Sequence, residues 1–315
     1  MTDNPGKKAA AYAGIVFVVL IWGVYPVICA GLLEHYSAGA FTFSGSLISA
    51  VALLVFCIPR LKDINADYLR TAVPTGAFVG FASTLQKIGL RYTTPSRYAF
   101  LENLSCVAVP VVLYLVFRKK PGKLTVIASL ICLSGCFVLT APDLAGDGRF
   151  HLQGELLCAA AGILYGVNIA ATGTCARDLN AMLYVMIQMW TNVLISGAAA
   201  AALALIRPGG VPLERFVFSF DPVLMLELAA LVLSVSTLGW IIRTESMKHV
   251  SASSVAVIMP FSSVITGIAA IVSGKDVFSP FLLAGGALIV VSSVLSGIGE
   301  VRAARDTCTG TEDKS

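Results

Sequence analysis

Polar side chains set inside long apolar runs are the residues of this sequence that could do chemistry. Glu102 is the foremost of them. It lies about seven residues into an apolar run, roughly 10 Å along a helix axis at ~1.5 Å per residue, too deep for its short side chain to reach a membrane surface easily. An acid near the centre of a membrane helix costs about 2.5–3.5 kcal/mol on insertion scales, so it faces a cavity or a partner. Three roles fit: a counter-charge for a cationic substrate group, a proton-coupling site, or a fixed ion pair with Lys87 at comparable depth on the preceding run. Tyr98, Glu102 and Ser105 follow i, i+4, i+7 spacing and share one helix face, whereas Asn103 points roughly 100° away.

Aromatic residues supply a second set. Trp22 and Tyr25 stand one turn apart beside Pro26, which removes a backbone donor and can kink its helix. An aromatic pair near an acid suits an amine or quaternary ammonium group through cation–π attraction, and equally suits helix packing. Tyr165 and Asn168 hold corresponding places in the second half of the chain, and Gln86 and Trp240 are further candidates for a substrate-binding set. Trp190 reads as packing. Arg243 and Glu245, followed by Lys248 and His249, form either a solvated helix end or an inner gate that pairs charges in one state and separates them in another.

These residues need elements to position them, and composition says which. Of 315 residues 57% are hydrophobic and only 13% charged, and the mean hydropathy is +0.84. Such a chain has too few charges to cover a water-soluble surface, so lipid is its solvent and membrane lipid its bulk partner. Apolar runs long enough to span fall at about 9–33, 38–58, 71–91, 96–117, 124–141, 153–176, 180–206, 223–243, 250–273 and 278–299. With the N-terminus inside, inner segments carry Lys7, Lys8, Arg60, Lys62, Arg70, Arg118, Lys119, Lys120, Lys123, Arg177, Arg243, Lys248, Arg302, Arg305 and Lys314. Outer segments carry only Arg91, Arg97, Arg149, Arg207, Arg215 and Lys275. That asymmetry predicts a multi-pass protein of the cell (inner, cytoplasmic) membrane with both termini cytoplasmic.

The halves look related. Leu20-Ile-Trp-Gly-Val-Tyr-Pro matches Ile163-Leu-Tyr-Gly-Val-Asn-Ile, and Thr94-Pro-Ser-Arg-Tyr-Ala-Phe matches Ser251-Ala-Ser-Ser-Val-Ala-Val. Five spans per half send the second repeat in from the opposite side. The expected fold is therefore an all-α polytopic membrane protein, ten transmembrane helices as a 5+5 inverted repeat. Its parts are a cytoplasmic N-terminus (1–8), a first repeat (9–141), an outer connecting loop (142–152), a second repeat (153–299) and a disordered cytoplasmic tail (300–315).

Cysteine and histidine point to no metal chemistry. Cys29, Cys57, Cys106, Cys132, Cys136, Cys158 and Cys175 lie in or beside apolar runs as small core residues, Cys308 lies in the tail, and His35, His151 and His249 are far apart. No phosphate-binding Gly-x4-Gly-Lys-Ser/Thr loop occurs, and no feature calls for a cofactor or nucleic acid. The pairs Gly76/Gly80 and Gly162/Gly166 permit close helix approach, within a monomer or in a dimer.

Trp22-Gly23, the stretch Leu85-Gln-Lys-Ile-Gly-Leu-Arg-Tyr-Thr-Thr94, Phe100 through Pro110 and the basic exit Arg118-Lys-Lys-Pro121 together resemble the EamA-like ten-helix members of the drug/metabolite transporter superfamily. The resemblance covers nearly the whole chain. It implies a central cavity lined mainly by spans 1, 3, 4, 6, 8 and 9, and non-enzymatic, ATP-independent transport of amino acids, amines or related small metabolites, in most members as export. Import of a vitamin, nucleobase or choline-like compound is the alternative, and an intramembrane enzyme or sensor the more distant one. The second half departs from its relatives: Met259-Pro260 stands where many carry Glu-Pro, Gly274-Lys275-Asp276 where many carry Gly-Glu, and Arg243 where Gln is frequent. Roles of those carboxylates do not transfer.

Overall fold

The computed structural model describes residues 5–118, 122–144, 152–206, 214–275, 277–292, 294–295 and 298. The expected tail, most of the outer connecting loop, Lys119, Lys120, Arg149, Arg207, Cys308 and the side chain of Cys136 lie outside that description. Every regular element among the described residues is helical. The chain runs α1 (Pro5–Leu32), α2 (Ala38–Cys57, extended by a 3-10 turn Ile58–Asp63), α3 (Ala66–Leu90), α4 (Pro95–Glu102), α5 (Ser105–Leu115), α6 (Lys123–Leu144), α7 (Leu152–Cys175), α8 (Ala181–Leu205), α9 (Pro222–Leu231), α10 (Leu238–Ser246), α11 (Ala252–Ile258), α12 (Phe261–Val272) and α13 (Pro280–Ser292).

In lipid a helix must satisfy its end groups from within the protein. Ser37, Asn65, Thr94, Asn180, Asp221 and Ser251 each cap the helix that follows by accepting a backbone N–H, and Pro95 and Pro222 occupy first-turn positions where no donor is needed. At the other end of α12, Gly274 takes φ 70°, which frees its N–H for Ile271 and that of Lys275 for Ala270. That turn sends the Lys275 ammonium to the Val27 carbonyl of α1 at 3.1 Å.

Among the described residues, seven helical stretches are long and apolar enough to cross a membrane: Gly6–Leu32, Ala38–Asp63, Pro95–Leu115, Gln153–Cys175, Ala181–Leu205, Pro222–Ser246 and Ala252–Val272. Lys123–Gly135 and Pro280–Ser292 are shorter apolar helices. The 25-residue α3 is less apolar, holding Gln86, Lys87 and many Gly, Ser and Thr residues. It is also packed along α7 and α8, and its Thr75, Thr84, Gln86 and Lys87 are buried, so this polarity faces neighbours rather than lipid. The Gly76 and Gly80 backbone allows this, coming against Gln188, Thr191 and Ile195 of α8 where a Cβ would collide. α1 packs on α10 and α12, and α2 lies along α8.

Two expected spans are broken instead of continuous. The run 96–117 divides at Asn103–Leu104 into α4 and α5, with hydrogen bonds tightening to i→i−3 at Asn103, Leu104 and Cys106. The run 250–273 divides at Met259–Pro260 into α11 and α12, where proline supplies no N–H. A third irregularity lies between α9 and α10, a π-helical segment from Val232 to Thr237. Such segments leave carbonyls for other partners.

Candidate functional site

Between these irregular segments lies a cavity of ≈ 120 Å³, lined by residues of α1, α2, α3, α4, α5, α7, α8, α10, α12 and the breaks. Backbone freed by the breaks is tied across it. Trp22 Nε1 donates to the Val235 carbonyl in the π segment at 3.0 Å, and Thr237 Oγ1 meets Ser49 Oγ of α2 at 2.8 Å. Thr266 Oγ1 donates to the Gly23 carbonyl at 2.7 Å, one turn before Pro26. Asn103, at the first break, donates from Nδ2 to Ser263 Oγ, just past the second, at 2.9 Å. The Ser129 hydroxyl of α6 donates to the Cys106 carbonyl of α5 at 3.0 Å, the acceptor that Pro110 leaves without its helical donor.

The charged groups lining the cavity are Lys87, Glu102 and Arg243. Gln86 organises the first two. Its Nε2 donates to Glu102 Oε2 at 3.0 Å, while its Oε1 accepts from Lys87 Nζ and from Tyr165 OH, each at 3.0 Å. One amide thus bridges ammonium, carboxylate and phenol, using both acceptor lone pairs and one donor. The Lys87 ammonium lies 4.9 Å from the Tyr25 ring centre and 5.8 Å from that of Tyr98. The cation held by these aromatic faces is therefore the chain's own.

Arg243 sits in a different setting. It is 1% exposed, with its guanidinium 4.0 Å from the Trp240 ring centre and 5.7 Å from that of Trp22. Nη2 donates to Asn168 Oδ1 at 2.7 Å, and Asn168 Nδ2 in turn donates to the Thr75 carbonyl of α3 at 3.1 Å. The three aromatic rings form a continuous wall, Trp22 to Trp240 at 5.7 Å and Tyr165 to Trp240 at 6.2 Å. Nε of Arg243 is buried without a hydrogen-bond partner.

The structure gathers Trp22, Tyr25, Gln86, Lys87, Tyr98, Glu102, Ser105, Tyr165, Trp240 and Arg243 around one cavity, with Asn168 fully buried behind Arg243. Glu245 stands apart. It pairs with Lys248 at 2.8 Å on an exposed surface instead of with Arg243. Lys87 and Glu102 meet through Gln86, and no direct ion pair joins them among the described residues. Sequence reasoning missed Asn103, because a continuous helix would turn it away, and it missed the hydroxyls of Thr42, Ser46 and Ser49 on α2. Polar residues recurring at i, i+4, i+7 along an apolar helix were the available signal for α2. Among the described residues no three His, Cys, Asp or Glu side chains gather as a metal site.

Residues 9–141 match the model of the EamA-like transporter family. An uncharacterized transporter of Archaeoglobus fulgidus is 22% identical over 291 residues, covering 92% of this chain and 86% of that protein. A solved crystal structure at 15% identity matches with TM-score 0.67 over 92% of this chain and 98% of the other, a likeness of fold.

Proposed function

We propose, for a chain that carries an EamA-like transporter domain at residues 9–141 within the drug/metabolite transporter superfamily, that its central cavity is the binding site of a secondary transporter for a small polar metabolite. The observation that carries this reading is the charged cavity built where two broken helices meet. Discontinuous helices place backbone and side-chain polarity at membrane depth only where they line a cavity. The breaks at Asn103–Leu104 and Met259–Pro260, in the fourth and ninth apolar runs, support a 5+5 inverted repeat in which α3 and the two shorter apolar helices complete ten spans.

The two halves rock about the site, exposing it alternately to each face, with both termini on the cytoplasmic side of the cell membrane. Amino acids and related small metabolites leave the cell by this route. The Glu102 carboxylate, bridged to Lys87 and Tyr165 through Gln86, is the group through which proton movement couples to transport. Purified protein in liposomes, loaded with amino acids, amines, carboxylates, nucleobases or vitamins and assayed with and without an imposed pH gradient, should show saturable flux of one class. Absence of flux for every compound would remove the support for this function. Flux of equal rate and pH dependence in Glu102→Gln would remove its coupling role.

A further inference from the structure

We infer that Arg243 is the anchor for a substrate carboxylate, so that this transporter carries a small organic monoanion rather than a free amine. The inference rests on the transporter reading and names the substrate class of the same cavity. Its first support is charge. With Glu102 ionised, Lys87 and Glu102, joined through Gln86, neutralise one another, which leaves the guanidinium of Arg243 as the uncompensated charge among the lining residues. A singly charged anion brings the cavity to neutrality. A cation would enter a cavity already carrying an excess positive charge, at a cost that low dielectric magnifies.

Hydrogen bonding is the second support, and it is independent of the first. Arg243 is 1% exposed, and its buried Nε has no partner. A guanidinium withdrawn from water with an open donor is unfavourable until a ligand closes it. The open donor lies on the long edge of the planar fork, where Nε and a neighbouring Nη hydrogen match the two oxygens of a carboxylate. The opposite requirements are met by protein. Trp240 covers the guanidinium face at 4.0 Å, and Asn168 fixes one Nη at 2.7 Å, itself held by the Thr75 carbonyl at 3.1 Å. The group is thus oriented, with its Nε donor left unpaired. Trp22, Trp240 and Tyr165 give that ligand an aromatic wall for its apolar part.

The test uses two frames that differ only in charge: benzoate, benzamide, benzylamine and phenyl phosphate, then lactate and lactamide. Binding to detergent-purified protein is read by thermal shift and calorimetry, and flux by the liposome assay. A carboxylate should bind while its amide and amine partners bind at least tenfold more weakly, and the phosphate dianion should not improve on it. Arg243→Gln should weaken carboxylate binding tenfold or more, as expected for loss of a charge-assisted bidentate contact. Should that variant fold poorly, Asn168→Asp gives an independent arm, because it sets a carboxylate of the chain on the guanidinium. It should unfold cooperatively close to the wild-type midpoint, the ion pair with Arg243 offsetting the lost donor to the Thr75 carbonyl, and lose carboxylate binding. Binding of amines in preference to carboxylates, binding of no carboxylate, or carboxylate binding unchanged in Asn168→Asp would each overturn the inference while leaving transport of another class intact. Carboxylate binding without flux would instead refute transport and keep the anchor.

Discussion

The two charged poles of the cavity are built on opposite principles. Around Gln86 the hydrogen-bond valences are closed inside the protein: carboxylate, ammonium and phenol meet on one amide, and the ammonium rests on two tyrosine rings. Around Arg243 orientation is supplied by protein but one donor is left open. A closed network rigidifies its surroundings, and an open one awaits a ligand. The difference teaches that the most conspicuous intramembrane acid need not be the group that contacts substrate, since burial cost alone does not say whether a charge is already answered.

The sharpest way to break this contrast is Gln86→Leu. The substitution removes partners from Glu102, Lys87 and Tyr165 together, and each buried polar group left unsatisfied costs about 1–3 kcal/mol. A total loss of about 3 kcal/mol or more is expected, read as a lowered unfolding midpoint in detergent. Asn168→Asp at the other pole should cost less, about 1 kcal/mol by the same measurement, because the ion pair it gives Arg243 offsets the lost donor to the Thr75 carbonyl. Equal stability of Gln86→Leu and wild type would show that the first pole is not a closed structural network.

An intermediate effect is expected at the seam between the poles. Asn103→Ala removes the 2.9 Å bond to Ser263 that ties one helix break to the other. Loss of about 1–2 kcal/mol is expected, and the double variant with Ser263→Ala should cost little more than either single one, the mark of a direct interaction. Additive costs in that cycle would mean the breaks are not coupled through this bond.

Asn103 also marks how far the sequence could be read. Apolar run length exposed the helices, and i, i+4, i+7 spacing placed Tyr98, Glu102 and Ser105 on one face that the structure turns to the cavity. The break at Asn103–Leu104 carries no proline or glycine, so no local residue announces it; packing of Gly162 and Gly166 in α7 against the backbone of Leu101, Glu102 and Ser105 accompanies it instead. Pro260 was legible as a break, yet its run looked long enough to span uninterrupted. Arg243 was legible as a solvated helix end or an inner gate but not as a cavity residue, for a different reason. A π segment inserts a residue and shifts helical phase by about 100°, so a wheel continued from Pro222 does not tell which way Arg243 turns. The Gln86 bridge was invisible because it joins α3, α4 and α7, a long-range arrangement that spacing along one helix cannot reveal.

The smallest effect should come from a site outside both poles, which sharpens the comparison by serving as its control. Glu214 accepts from the Ala38 and Gly39 N–H groups at 2.9 Å each and pairs with Arg91, fastening the segment before α9 over the N-terminus of α2. The neighbouring Ser37 N–H donates to the Val217 carbonyl at 2.9 Å, and Tyr36 packs on Phe218 at 5.2 Å. Glu214→Gln keeps one oxygen for those N–H groups but loses the charge that favours a helix N-terminus and the ion pair. Because the Arg91 side chain is 41% exposed, solvent screening holds the ion-pair share to a few tenths of a kcal/mol. The whole substitution should cost about 1 kcal/mol, and the gap from wild type should narrow as salt rises, since screening shortens the reach of exposed charges to about 10 Å at 0.1 M. Carboxylate affinity at Arg243 should change less than twofold. A larger change would mean that the Glu214 fastening and the anion pole move together, and the second pole could no longer be treated as a preformed site.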